Sequence, residues 1–211
     1  FSHLTGMQFW ELGKKEGRYY ASVIESAKVN LQEFDNVFNK LCLHLMHQAE
    51  QIPDALSQHK TIFDEAFLAE QLINQTHDFC IRILITYGHK DYKKVPYYYN
   101  FIIKLESIGD KYFSIACNAK EKIDKNTLRV LEQSRDFISR VLSLERKFDF
   151  DKVTLLTQEI FQTITAYEMM ITTNKVKAGL ISYTIYSLLL EIYELIEILY
   201  ALHHDYFRDK S

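Results

Sequence analysis

Two prolines and six glycines are all that punctuate this chain of 211 residues. So few turn-formers imply few connections, hence long elements, and long elements are helices. Three of the six glycines fall within the first 17 positions, so the remainder is still less interrupted. Hydrophobic residues make up 47% and charged residues 25%, which suits a globular chain with a sizeable core. The net charge of −3 and the absence of a basic stripe disfavour nucleic-acid binding by this chain alone. Lys90, Lys93 and Lys94 are interrupted by Asp91 and read as a solvated loop.

From about residue 34, apolar residues recur at threes and fours. The spacing predicts six helical segments: about 34–51, 60–87, 96–122, 127–146, 151–173 and 176–207. Phe34, Val37, Phe38, Leu41, Leu45 and Ala49 line the first. Phe101, Ile102, Leu105, Ile108, Tyr112 and Ile115 line the third, where Pro96 takes a first-turn position that suits proline. Segments one to three and four to six form two blocks of similar length, about 34–122 and 127–207. The expected fold is therefore all-α, built of two three-helix-bundle repeats side by side. The first 33 residues differ. "MQFWEL" (7–12) and "RYYASVI" (18–24) flank "GKKEG" and predict a small β-hairpin. The helical body is then 34–211, and 1–33 is a linker or the tail of an upstream domain, because the chain begins with Phe.

Several functions find no support. The cysteines Cys42, Cys80 and Cys117 are odd in number and far apart. They form neither a disulfide framework nor a zinc pattern, and read as buried thiols in a reducing cytoplasm. The uncharged apolar run 178–190 is too short to span a bilayer. No Glu is followed three residues later by His, which a di-iron bundle requires. HExxH, GxGxxG, a P-loop and GxSxG are all absent, so no enzyme activity is expected. "LLLEIYELIEILYAL" (188–202) is apolar nearly all round, as expected of a central helix or a homodimer interface, with Glu191, Glu194 and Glu197 along one seam.

The informative stretch is "LESIGD", 105–110. Glu106 and Asp110 are four apart and share one helix edge. Like charges there oppose helix formation unless they are solvated or a cation bridges them. Gly109 removes a side chain and lets a neighbouring helix approach. Asp78, beside His77, is the facing candidate if the second and third helices are antiparallel. Asp78, Glu106 and Asp110 thus form a candidate site for one Fe, Zn, Mn or Mg ion. His44 with His47, and His203 and His204 with Asp205, read as surface groups. Tyr97, Tyr98 and Tyr99 are a candidate contact patch or simply the packed start of a helix.

"LESIGDKYFSIA" (105–116) resembles the "LERIGD…NIA" signature of the PhoU phosphate-uptake-regulator family, in its archaeal branch. There an AbrB-like DNA-binding domain precedes a PhoU-like helical body. "LTGMQFWEL", "EFDNVFNKLCLHLM" and "DFCIRILITYGHKDYKKVPYYY" resemble other stretches of that branch. The resemblance implies two three-helix repeats, acidic metal motifs on the second and third helices, and a regulator of phosphate uptake. It implies a phosphate transporter or a sensor kinase as partner, with nucleic acid reached only through an upstream domain. The location implied is cytoplasmic, peripheral to the membrane through a partner. The pattern departs at Ser107, Ser114 and Asn74. In the second repeat, Leu190 and Glu194 stand where the acid pair is expected, and Glu159 has no partner at spacing four. A helical dimerisation domain without ligand is the alternative.

Overall fold

The computed structural model describes residues 31–119 and 123–205, together with the backbone of 7–15 and 18–25. Two strands, β1 (Met7–Lys15) and β2 (Arg18–Glu25), run antiparallel with Met7 opposite Glu25 and Lys15 opposite Arg18. Their register shifts between Phe9 and Glu11. Residues 16 and 17, at the expected turn, lie outside the described residues.

Among the described residues, six α-helices follow: α1 (Phe34–Ser57), α2 (Phe63–Tyr87), α3 (Val95–Asn118), α4 (Lys125–Arg146), α5 (Phe150–Thr172) and α6 (Leu180–Leu202). Local chemistry marks their ends. The Asp124 carboxylate accepts from the backbone N–H groups of Asn126 and Thr127 at 3.0 Å each and so caps α4. Asp149 caps α5 by accepting from the N–H of Lys152. Pro96 sits in the first turn of α3, where no helical N–H is needed. Gly88 ends α2 at φ 77°, a conformation that a side chain would strain.

Several boundaries differ from the sequence expectation: α2 begins at Phe63 rather than 60, α3 ends at Asn118 rather than 122 and α6 ends at Leu202 rather than 207, and two further differences have a visible cause. The helix expected to stop near residue 51 continues through Pro53 to Ser57. Ile52, Pro53 and Leu56 are all buried, and that burial outweighs the one backbone hydrogen bond that proline forgoes. The last helix begins at Leu180 rather than 176. Asn174 takes φ 55° after α5, and the N–H groups of Lys175 and Val176 turn back to the carbonyl of Met170. Val176 is buried in that turn, so the chain needs three more residues to leave it. Residues 206 and 207, and 120–122 at the expected end of the third helix, lie outside the described residues.

α1, α2 and α3 pack on one another, as do α4, α5 and α6. The two sets meet where α3 lies along α6 and α1 lies against α4. One continuous core runs through both, with Leu41, Leu45, Ile73, Leu105, Ile108, Leu131, Ile138, Leu156, Ile192 and Leu195 fully buried. At its middle, Tyr112 of α3 and Ser134 of α4 share a buried hydrogen bond of 2.7 Å. Both polar groups would be costly if left unpaired there. α6 touches α3, α4 and α5 and is central. Its acid seam meets a cation, because Lys104 of α3 reaches Glu191 at 2.6 Å and also pairs with Glu194. Burial opposes the Lys104 charge, but the hydrogen bonds to both glutamates outweigh it and hold its pKa above the usual lysine value.

Among the described residues, no helix is long and apolar enough to cross a membrane. Cys42 and Cys80 are buried free thiols, and burial pushes the Cys42 thiol up to about 12. Cys117 of α3 is only half-buried.

Candidate functional site

The third helix presents Leu105, Ile108, Gly109 and Tyr112 to the core, which turns Glu106 and Asp110 along the rim facing α2. Gly109 sits at the closest approach. A Cβ built there would stand 3.2 and 3.3 Å from Cδ1 and Cγ2 of Ile73 on α2, and 3.5 Å from Oε1 of Gln48 on α1. These contacts explain why a helix gives up stability at this position. Ile73 is fully buried and must give by a few tenths of an ångström to admit a side chain there. Gly109→Val is therefore expected to lower stability by about 2–3 kcal/mol in urea unfolding, despite a better helix former. An unchanged midpoint would mean that the helices do not approach so closely.

Around that notch lies a polar seam fed by three helices. Gln48 of α1 is 1% exposed, and neither its amide oxygen nor its amide nitrogen has a partner. Glu70 of α2 is buried, accepts from the Asn74 amide at 3.0 Å, and keeps Oε2 unpartnered. Asp110 of α3 lies close enough to Glu70 to act on its titration. Burial first, and then Asp110, push Glu70 up to about 7. Burial, followed by the charge of Asp110, likewise raises Glu106. His77 and Asp78 are both close enough to Glu106 to act on its titration, in opposite directions.

The three acids of the sequence reading sit in unequal surroundings. Glu106 is half-buried and Asp110 is exposed at the rim. Asp78 is exposed, and its carboxylate pairs with Nδ1 of His77 at 3.1 Å. Among the described residues, no three His, Cys, Asp or Glu side chains stand together as a ready metal-binding group. Sequence reasoning passed over Glu70 and Gln48. The available signal was an acid on the stripe Ala66, Ala69, Ile73, which is otherwise apolar.

Other candidates resolve into packing. Glu159 has a partner in Arg140 of α4, whose hydrogen bonds hold its carboxyl below the usual range. Leu190 and Glu194 build no second acid seam, since Leu190 is partly exposed and Lys104 takes Glu194. Of the three tyrosines, Tyr98 packs against Phe34 and Phe38 and donates to Glu145 at 2.9 Å, and Tyr97 faces the ring of His204. Tyr99 is the exposed member, so the patch mainly packs a helix start. His203 stacks on Phe148, and its Nε2 lies 3.0 Å from the backbone oxygen of Glu145. His204 pairs with Asp205. His44 is half-buried beside an exposed His47, and burial lowers its pKa.

No family model matches the sequence, and neither a curated protein nor a solved structure matches it.

Proposed function

We propose that this chain is a non-enzymatic regulatory module of the PhoU-like kind, built as two three-helix repeats at about 34–122 and 127–207. It controls phosphate uptake through helix-surface contacts with a transporter or sensor kinase, tuned by one metal ion at the seam of the first repeat. The observation that supports this reading is the placement of Glu106, Gly109 and Asp110. The stretch that resembles the family signature lies where α3 faces buried polar groups of α2 and α1. The segment 1–33, with its strand pair, then serves as the tail of an upstream domain. Removing the protein from its cell is expected to leave phosphate uptake high when phosphate is plentiful, measured with radiolabelled phosphate. Uptake that still falls at high phosphate would count against the reading.

A second reading is a helical dimerisation domain. Leu155, Phe161 and Met169 on α5 and Leu68 and Leu72 on α2 favour it, since all are exposed apolar side chains. It predicts a dimer in sedimentation and no effect on phosphate uptake.

A further inference from the structure

We infer that the groove between α2 and α3 docks an arginine-bearing helix of a partner protein, with the guanidinium lying between the rings of Phe63, Phe67 and Phe113 and the carboxylates of Glu106 and Asp110. This inference rests on the regulatory reading above and names the surface by which the chain meets its partner. Its basis is an aromatic cluster beside acids to which the chain supplies no lysine or arginine.

Three phenylalanine rings gather at the start of α2 and the end of α3. Phe63 and Phe67 stack with 6.2 Å between centroids, and Phe113 stands 6.1 and 6.2 Å from them. Phe63 and Phe67 are exposed, so the cluster meets solvent. The acids come one turn along each helix. Glu70 follows Phe67 by three residues, and Asp110 precedes Phe113 by three. Glu70 lies close enough to Asp110 and Glu106 to feel both charges. Rings and carboxylates therefore share one groove.

Other acids find cations within the chain, since Lys104 pairs with Glu191 and Glu194, and Arg140 with Glu159; among the described residues no lysine or arginine pairs with Glu70, Glu106 or Asp110. Glu70 is 7% exposed, and its Oε2 is buried without a partner. A cation from outside completes this set. A guanidinium fits better than an ammonium, because it is planar, stacks on aromatic rings and forks across carboxylate oxygens. The occupant is a helix because the groove offers a helical stripe. Tyr99, Ile103, Glu106, Asp110 and Phe113 recur at fours and threes along α3, which places them on one edge. Tyr99 and Ile103 are exposed, on the far side of the acids from Phe113. The stripe spans about 21 Å, the length of a helix of roughly 14 residues. It suits a helix with apolar residues toward both ends and arginine between them.

The test is selection of peptides of about 14 residues from a random display library against the full chain, with chelator present. Fluorescence anisotropy then measures the selected peptides on the wild type, Phe67→Ser, Asp110→Asn and, as a control on α5, Leu155→Ser, each checked for folding by thermal melting. The expected peptides carry arginine flanked by apolar residues. They should bind Phe67→Ser and Asp110→Asn more than about tenfold more weakly than the wild type, bind Leu155→Ser equally, and lose affinity with salt. Lysine in place of that arginine should weaken binding several-fold. Selected peptides without arginine, or peptides indifferent to both groove variants, would overturn the assignment. So would a wild type whose dimer in sedimentation is lost in Phe67→Ser, since a second copy would then fill the groove. Phosphate uptake in cells separates this inference from the reading it rests on. Control that is lost on removing the protein and kept in Phe67→Ser sinks the groove alone, whereas control that survives removal sinks the regulatory reading, whatever the peptides do.

Discussion

Glu70→Gln is expected to make the metal-free protein more stable at pH 8, by about 2–3 kcal/mol, and to change little at pH 4.5. The sign follows from the direction of the shift. In the folded chain the carboxyl titrates at about 7, above its ordinary value of 4.5. The folded state therefore holds a proton that the unfolded chain has already released. Stability from this group is fully present below pH 4.5 and is lost as pH rises through about 7. Glutamine keeps the volume, removes the charge and can donate to Asp110. Urea unfolding with chelator present, between pH 4.5 and 8, measures the effect. A wild-type curve flat across this range, or a variant less stable at pH 8, would contradict the reading of Glu70 as a buried acid raised by its surroundings.

Leu189→Ala should lower stability by about 2–5 kcal/mol, and Leu190→Ala by less than about 1 kcal/mol. The two residues are neighbours on α6 and differ in surroundings. Leu189 is fully buried, whereas Leu190 is 37% exposed. α6 packs against α3, α4 and α5, so a cavity at Leu189 opens in the middle of the body and the helices around it collapse only partly. Denaturant midpoints of the two variants decide the matter. Equal effects, or a larger one at Leu190, would mean that α6 lies at an edge or turns another face inward.

Much of the helical body was legible in the sequence because its signal is local. The stripe Phe101, Ile102, Leu105, Ile108, Tyr112, Ile115 repeats with the helix, and each of these residues is buried. The boundaries read less well where tertiary packing overrules a local rule. Pro53 reads as a stop, yet it lies inside α1 because its neighbours are buried. The turn at Asn174 and Val176, which delays α6, depends on a left-handed residue that no periodicity announces.

The candidate site was legible only along α3. Glu106, Gly109 and Asp110 follow from spacing on one helix. Their counterparts depend on the register between α2 and α3, which the contact of Ile73 with Gly109 sets. That register places Glu70 against Asp110 and His77 near Glu106. Asp78 was the natural choice on spacing because it is an acid beside a histidine. In the structure it is exposed and pairs with His77. Gln48 carries no charge and belongs to no motif, so only its burial without partners draws notice.

The most direct measurement is elemental analysis of the purified wild-type chain beside a Glu106→Ala/Asp110→Ala double variant. The account predicts a stoichiometric divalent metal in the wild type and its loss from a variant that remains folded. A wild type that carries no metal after growth and purification with Mn²⁺, or a variant that keeps it, would contradict the claim that this seam is a metal-tuned centre.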